Sequence, residues 1–178
     1  MPQAVTHILF PIIIIALIRD YYISKKSRRS FPLYYVFIAG LGGILPDIDY
    51  LVFALLRPLG FAFEEVHRTY THSFIIPAVF FILYLLFINV KVRELGRHHL
   101  KLNIIFLMLS FGTLTHIILD MIIFGQVHPF LPFSSSPIGL DLLSSFPSPF
   151  NSTALLDGIL LVIYLTYLEL KHRISDFI

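Results

Sequence analysis

Leu45-Pro46-Asp47-Ile48-Asp49 decides how this chain is read. Two carboxylates stand one residue apart inside an apolar run from about Leu33 to Leu56. Pro46 lacks an amide N–H, so it predicts a break or kink in a helix just before Asp47. A charge at membrane depth costs a few kcal/mol or more, and hydrocarbon offers nothing to offset it. The rest of the sequence must supply what neutralises Asp47 and Asp49.

The run is not isolated. Of the 178 residues, 57% are hydrophobic and 13% charged, and the mean hydropathy is +0.83. Soluble domains carry roughly a quarter charged residues, so the chain reads as one all-α, multi-pass membrane domain. Five spans are expected, at about 5–23, 33–56, 74–90, 102–124 and 154–170. The first is read as a retained helix, because no basic stretch precedes it and no A-x-A site follows. Residues 125–153 contain five prolines, four phenylalanines and no Lys or Arg, and read as an interfacial loop. Gly40, Gly42 and Gly43 read as packing positions that let a helix approach closely. The net charge of +2 gives no reason to expect nucleic acid. Membrane lipids are the expected surroundings.

Basic residues concentrate in the first and third connectors (Lys25, Lys26, Arg28 and Arg29; Lys91, Arg93, Arg97 and Lys101) and at Lys171 and Arg173. The positive-inside rule then puts the N-terminus outside and the C-terminus in the cytoplasm. On that assignment His7, Asp47, Asp49, His67, His72, His116 and Asp120 all fall near the outer side, at similar depth. Random placement would divide them between the two faces.

Their chemistry suits a metal. His116 and Asp120 are i and i+4 on one helix face. His67 and His72 lie in the connector that leads into the third run, where Thr71 or Ser73 could cap the helix. With no cysteine, every ligand must be nitrogen or oxygen, which favours zinc first and manganese or iron otherwise. Seven candidates exceed the needs of one tetrahedral ion, so one or two ions per chain are expected. Arg68 suits an anionic phosphate group, and Asp49 is the candidate general base. The plainer readings are an interfacial His7, ion pairs of Asp47 and Asp49 with Arg57 or Arg68, and a hydrogen bond between His116 and Asp120. His98, His99 and His172 read as solvated, and His128, Asp141 and Asp157 have no evident partner.

Taken together, Thr6-His7-Ile8-Leu9-Phe10, Leu45-Pro46-Asp47-Ile48-Asp49, His67-Arg68-x-x-Thr71-His72-Ser73 and His116-Ile117-Ile118-Leu119-Asp120, followed by Gly125 and Pro129-Phe130, resemble the YdjM-like family. Its members are inner-membrane proteins described as metal-dependent hydrolases and linked in bacteria to the LexA-regulated response. The resemblance implies that these seven His and Asp residues are the functional polar set. Thr69 stands where the family often has glycine. Met121 to Phe124 stand where it often has a proline-containing turn. Both departures bear on loop geometry rather than on the ligands.

Three functions follow as expectations. A membrane-embedded metal-dependent hydrolase would act on an ester, above all a phosphoester, of an amphiphilic substrate at the outer interface. Asp49 and Arg68 would be its catalytic residues. A divalent-cation transporter would use the same residues as a pathway. A structural protein would use the metal only to tie helices together.

Overall fold

The computed structural model describes residues 4–25, 31–90, 100–147 and 153–173. The basic residues of 26–30 and 91–99, with His98 and His99, and the end of the loop at 148–152 lie outside them. The described residues are helical apart from turns and one isolated bridge, Val127 to Ile138. The chain is a polytopic all-α membrane protein.

α1 (Ala4–Lys25) and α2 (Tyr34–Ile44) lie side by side. Pro11 removes the amide that would bond to the His7 carbonyl in an unbroken α-helix. Gly43 occupies the space beside that carbonyl. A Cβ built on Gly43 would lie 2.1 Å from the His7 oxygen, so only glycine fits. α2 gives way at Pro46 to a tight 3-10 turn, Leu45–Ile48, and resumes as α3 (Asp49–Leu56). The expected break is there, and it turns both carboxylates into the bundle.

α6 (Leu102–Leu119) packs on α2 with almost nothing between them. A Cβ on Gly112 would sit 2.2 Å from the Ala39 carbonyl oxygen. Ile12, Ile15, Ala16, Val36, Ala39 and Met108 form the buried apolar core beside this seam. The last turn of α6 widens into a π-helical turn, Asp120–Phe124. Such turns recur at functional sites.

Four helical segments are long and apolar enough to cross a membrane: Ala4–Lys25, Tyr34–Leu59, Leu102–Ile123 and Thr153–His172. The run expected at 74–90 forms a shorter helix, α5 (Ile75–Phe87). Its 13 residues rise about 20 Å, less than a hydrocarbon core of about 30 Å. The connector explains the difference. Through the short α4 (Phe63–Val66) it brings His67 and His72 back against Asp49, so α5 starts at that depth. α5 runs antiparallel to α6. The Ser110 hydroxyl donates to the Pro77 carbonyl at 2.8 Å, and the Phe87 and Phe106 rings meet at 5.6 Å.

Neither Thr71 nor Ser73 caps α5, whose N-cap is Phe74 without a side-chain bond. The described part of 125–147 folds back over the same end of the bundle. The Phe74 amide donates to the Pro129 carbonyl at 2.8 Å, and Val127 is fully buried. α7 (Thr153–His172) rests on α1 and has no buried residue.

Candidate metal centre

Four elements deliver the polar cluster. α1 brings His7, the broken α2–α3 segment brings Asp47 and Asp49, the connector brings His67, Arg68 and His72, and the end of α6 brings His116 and Asp120. His7, Asp49, His72, His116 and Asp120 are buried, and Asp47 and His67 nearly so.

Four atoms converge at the centre. His72 Nε2 and His116 Nε2 are 3.1 Å apart. Asp120 Oδ2 lies 3.4 Å from His72 Nε2 and 3.8 Å from His116 Nε2. Asp47 Oδ1 lies 3.7 and 3.6 Å from the same two nitrogens. A tetrahedral ion with bonds of about 2.0–2.2 Å keeps its ligand atoms about 3.3–3.6 Å apart. The five separations that involve the two imidazoles bracket that value, and the donor types suit such an ion.

Both imidazoles are held from behind. His116 Nδ1–H donates to the Gly43 carbonyl at 2.6 Å, which leaves Nε2 as the free donor atom of the neutral ring. The glycine that admits α1 therefore also orients His116. His72 Nδ1 lies 3.3 Å from Asp49 Oδ2 and 3.0 Å from the Thr71 hydroxyl. Asp49 touches the opposite edge of the His72 ring from Asp47 and Asp120. Its carboxylate also accepts from the Arg68 amide at 3.1 Å, the Thr71 hydroxyl at 3.0 Å and His67 Nδ1 at 3.2 Å. Beyond it, the Tyr50 hydroxyl reaches His67 Nε2 at 3.5 Å.

Asp120 faces two ways. Its Oδ2 joins the four-atom group, while its Oδ1 lies 3.2 Å from His7 Nε2. The His7 ring stacks on His116 at 3.9 Å between centroids. Two three-residue groups have ligand atoms all within 4.8 Å of one another: His7, His116 and Asp120, and Asp47, His67 and His72. Arg68 Nε stands 3.3 Å from Asp120 Oδ2. Its backbone is left-handed, with φ +58°, a region that residues other than glycine rarely adopt. The amide bond to Asp49 and the side-chain contact with Asp120 together hold it there.

The electrostatics ask for a cation. The cluster gathers three carboxylates, of Asp47, Asp49 and Asp120, and one guanidinium, that of Arg68, which meets Asp120. With neutral imidazoles, the excess negative charge equals that of a divalent ion. Burial alone would push the His72 imidazole down, but the hydrogen-bonded carboxylates of Asp120, Asp47 and Asp49 outweigh it and raise it to about 10.

All seven expected His and Asp residues and Arg68 meet in this one cluster. Arg57, offered as an ion-pair partner for the two carboxylates, stands instead in a tight turn at the far end of α3. Sequence reasoning missed Tyr50, although it adjoins Asp49, and gave Thr71 only a capping role. Asp157 does have a partner. Its Oδ1 accepts the Thr6 amide at 2.8 Å and the Thr6 hydroxyl at 2.5 Å, which anchors the turn that carries His7. His172, read as solvated, pairs with Asp20 at 3.5 Å. His128 and Asp141 lie on the loop, where their backbone carbonyls accept from Leu131 and Ser144.

No curated protein and no solved structure matches the chain. The family model described as YdjM inner membrane protein matches residues 1–174. That match spans nearly the whole chain, every helix and every residue of the cluster, and the protein belongs to the YdjM inner membrane protein family.

Proposed function

We propose that this protein is a membrane-embedded, metal-dependent hydrolase acting on an ester, above all a phosphoester, of an amphiphilic substrate. The observation that carries the reading is the convergence of His72 Nε2, His116 Nε2, Asp47 Oδ1 and Asp120 Oδ2 at 3.1–3.8 Å. These four atoms would hold the ion, with zinc first and manganese or iron as alternatives. His7 and the second oxygen of Asp120 offer a start on a second position. A bound ion supplies a water acidified towards neutral pH and polarises the ester oxygen.

The remaining roles belong to the chain. Asp49 fixes the His72 tautomer and is itself fixed by His67, Thr71 and the Arg68 amide. Holding His72 therefore suits it better than taking a proton from water. The Arg68 guanidinium, partly exposed beside Asp120, is placed to hold an anionic oxygen of the substrate. Leu51 and Leu55 on α3, and Phe133 on the loop, expose apolar surface at this end of the bundle, which suits a substrate with a hydrocarbon tail. The positive-inside rule supports a reading with this end outside and the C-terminus in the cytoplasm.

A transporter needs a polar route onward. Among the described residues the cluster is backed by the α2–α6 glycine seam and the apolar core of Ile12, Ile15, Val36, Ala39 and Met108, which offer no ionisable group.

The test is metal content. Detergent-purified protein should carry about one or two equivalents of zinc, manganese or iron by elemental mass spectrometry. His116→Ala and Asp47→Asn should lower this at least several-fold while eluting as the wild type does. The loaded protein should then cleave phosphoester lipid analogues, and Arg68→Gln should slow it without loss of metal. Folded wild-type protein that takes up none of these ions on incubation would overturn the proposal.

A further inference from the structure

A second polar cluster lies at the other end of α1. Arg19 and Asp20 follow His7 by about 18 Å of helix rise. Asp20 is buried. The Tyr167 hydroxyl donates to its Oδ2 at 2.7 Å, and His172 Nε2 lies 3.5 Å from the same oxygen. Arg19 Nη1 stands 3.5 Å from Asp20 Oδ1, while its Nε donates to the Phe31 carbonyl at 3.0 Å. This clamp ties the C-terminal end of α7 to α1.

Beside the clamp, α1, α2 and α7 do not close on one another. They leave a cavity of about 410 Å³. Ala16, Val36, Phe37 and Leu168 form its apolar walls, and Arg19 and His172 stand at its polar end. Asp20 does not line it. That residue lines the neighbouring groove together with Lys171, while its carboxylate pairs with both Arg19 and His172. Lys25, Lys171 and Arg173 are exposed at the same end of the bundle.

The crevice's lining is mostly apolar, and its polar side chains are those of Arg19, Tyr164, Tyr167 and His172, so away from these it offers water few hydrogen-bond partners. One turn of a further helix about 10 Å across would fill it, so a protein segment gains little there. An acyl chain fits along it. Asp20 offsets the Arg19 charge, so the excess positive charge at this end comes from Lys25, Lys171 and Arg173, and basic pockets between membrane helices select anionic headgroups.

We propose that the crevice between α1, α2 and α7 binds an anionic phospholipid. Its acyl chain lies along Ala16, Val36, Phe37 and Leu168, and its phosphate lies at Arg19 and His172. This site is separate from the His/Asp cluster and stands whether or not that cluster carries out hydrolysis.

The test is native mass spectrometry of the full chain with phosphatidylglycerol and with phosphatidylcholine of the same acyl length. Wild-type protein should retain phosphatidylglycerol at least several-fold better. Arg19→Gln should bring retention down to the phosphatidylcholine level, and Ala16→Phe, which fills the crevice, should lower it as far. His172→Gln, which leaves the bond to Phe31 intact, should lower it in part and serves if Arg19→Gln does not fold. Phosphatidylglycerol in mixed micelles should also raise the wild-type Tm, while inorganic phosphate alone should not. Equal retention of both lipids by the wild type would overturn the proposal. So would unchanged retention in the folded variants, or a Tm rise with phosphate as large as with lipid.

Discussion

Glycine stands both in the seams that α2 makes with α1 and α6 and in the middle of α7, and it does opposite work in the two places. At Gly43 and Gly112 an added Cβ would meet backbone at 2.1 and 2.2 Å. At Gly158 it would meet nothing within 4 Å. The seam is closed by main-chain contact, as is common where membrane helices associate through small residues. The outer helix is held by side-chain hydrogen bonds at its two ends, Asp157 to Thr6 and Tyr167 to Asp20. Close contact is thus concentrated around the polar cluster, and α7 is attached more loosely.

The sharpest way to break that contrast is Gly43→Ala. The new methyl must displace the His7 carbonyl and Pro11, and so part α1 from α2. Overpacking of this kind costs about 3 kcal/mol at its upper range. It should appear as a large loss of Tm in detergent, together with loss of bound metal as His7 and His116 separate. A variant with wild-type Tm would show that the seam is not closed as described. Asp157→Ala should have a middling effect. It removes the acceptor of two Thr6 donors, worth about 1–2 kcal/mol, and limited proteolysis should then release α7 before any other helix. Simultaneous cleavage throughout the bundle would contradict the loose attachment. Smallest, and opposite in sign, is Gly158→Ala, which should stabilise by about 0.5–1 kcal/mol through backbone entropy and helix propensity. A drop in Tm there would mean that another molecule packs on α7.

The parts of this structure that sequence makes legible are those set by local rules. Pro46 announces the break before Asp47 because its ring forbids an ordinary helical turn. His116 and Asp120 announce a shared face because helical periodicity requires one. The surroundings of Asp49 are not legible. Its donors come from a connector whose course depends on a left-handed Arg68, a conformation that an arginine codon does not advertise. The length of α5 is hidden as well, since hydropathy continues to Val90 wherever the connector happens to return. The bond between Thr6 and Asp157 joins residues 151 positions apart, and nothing in either neighbourhood marks the other. The π-helical turn at Asp120 arises where α6 meets the loop packed above it, again a property of the assembled bundle.

The positions of the cluster's partners along the chain bear on how the protein is made. Asp49 takes its donors from residues only 18 to 23 positions ahead. That loop closes at small entropic cost. Asp120 instead arrives on a late helix and meets His7, which belongs to the first. During insertion the earlier carboxylates are thus sheltered by the connector that follows them, and the last one docks against histidines already in place. Biogenesis can thereby carry three aspartates into the bilayer without leaving any of them long alone, and the cluster is completed only when α6 takes its place beside α2.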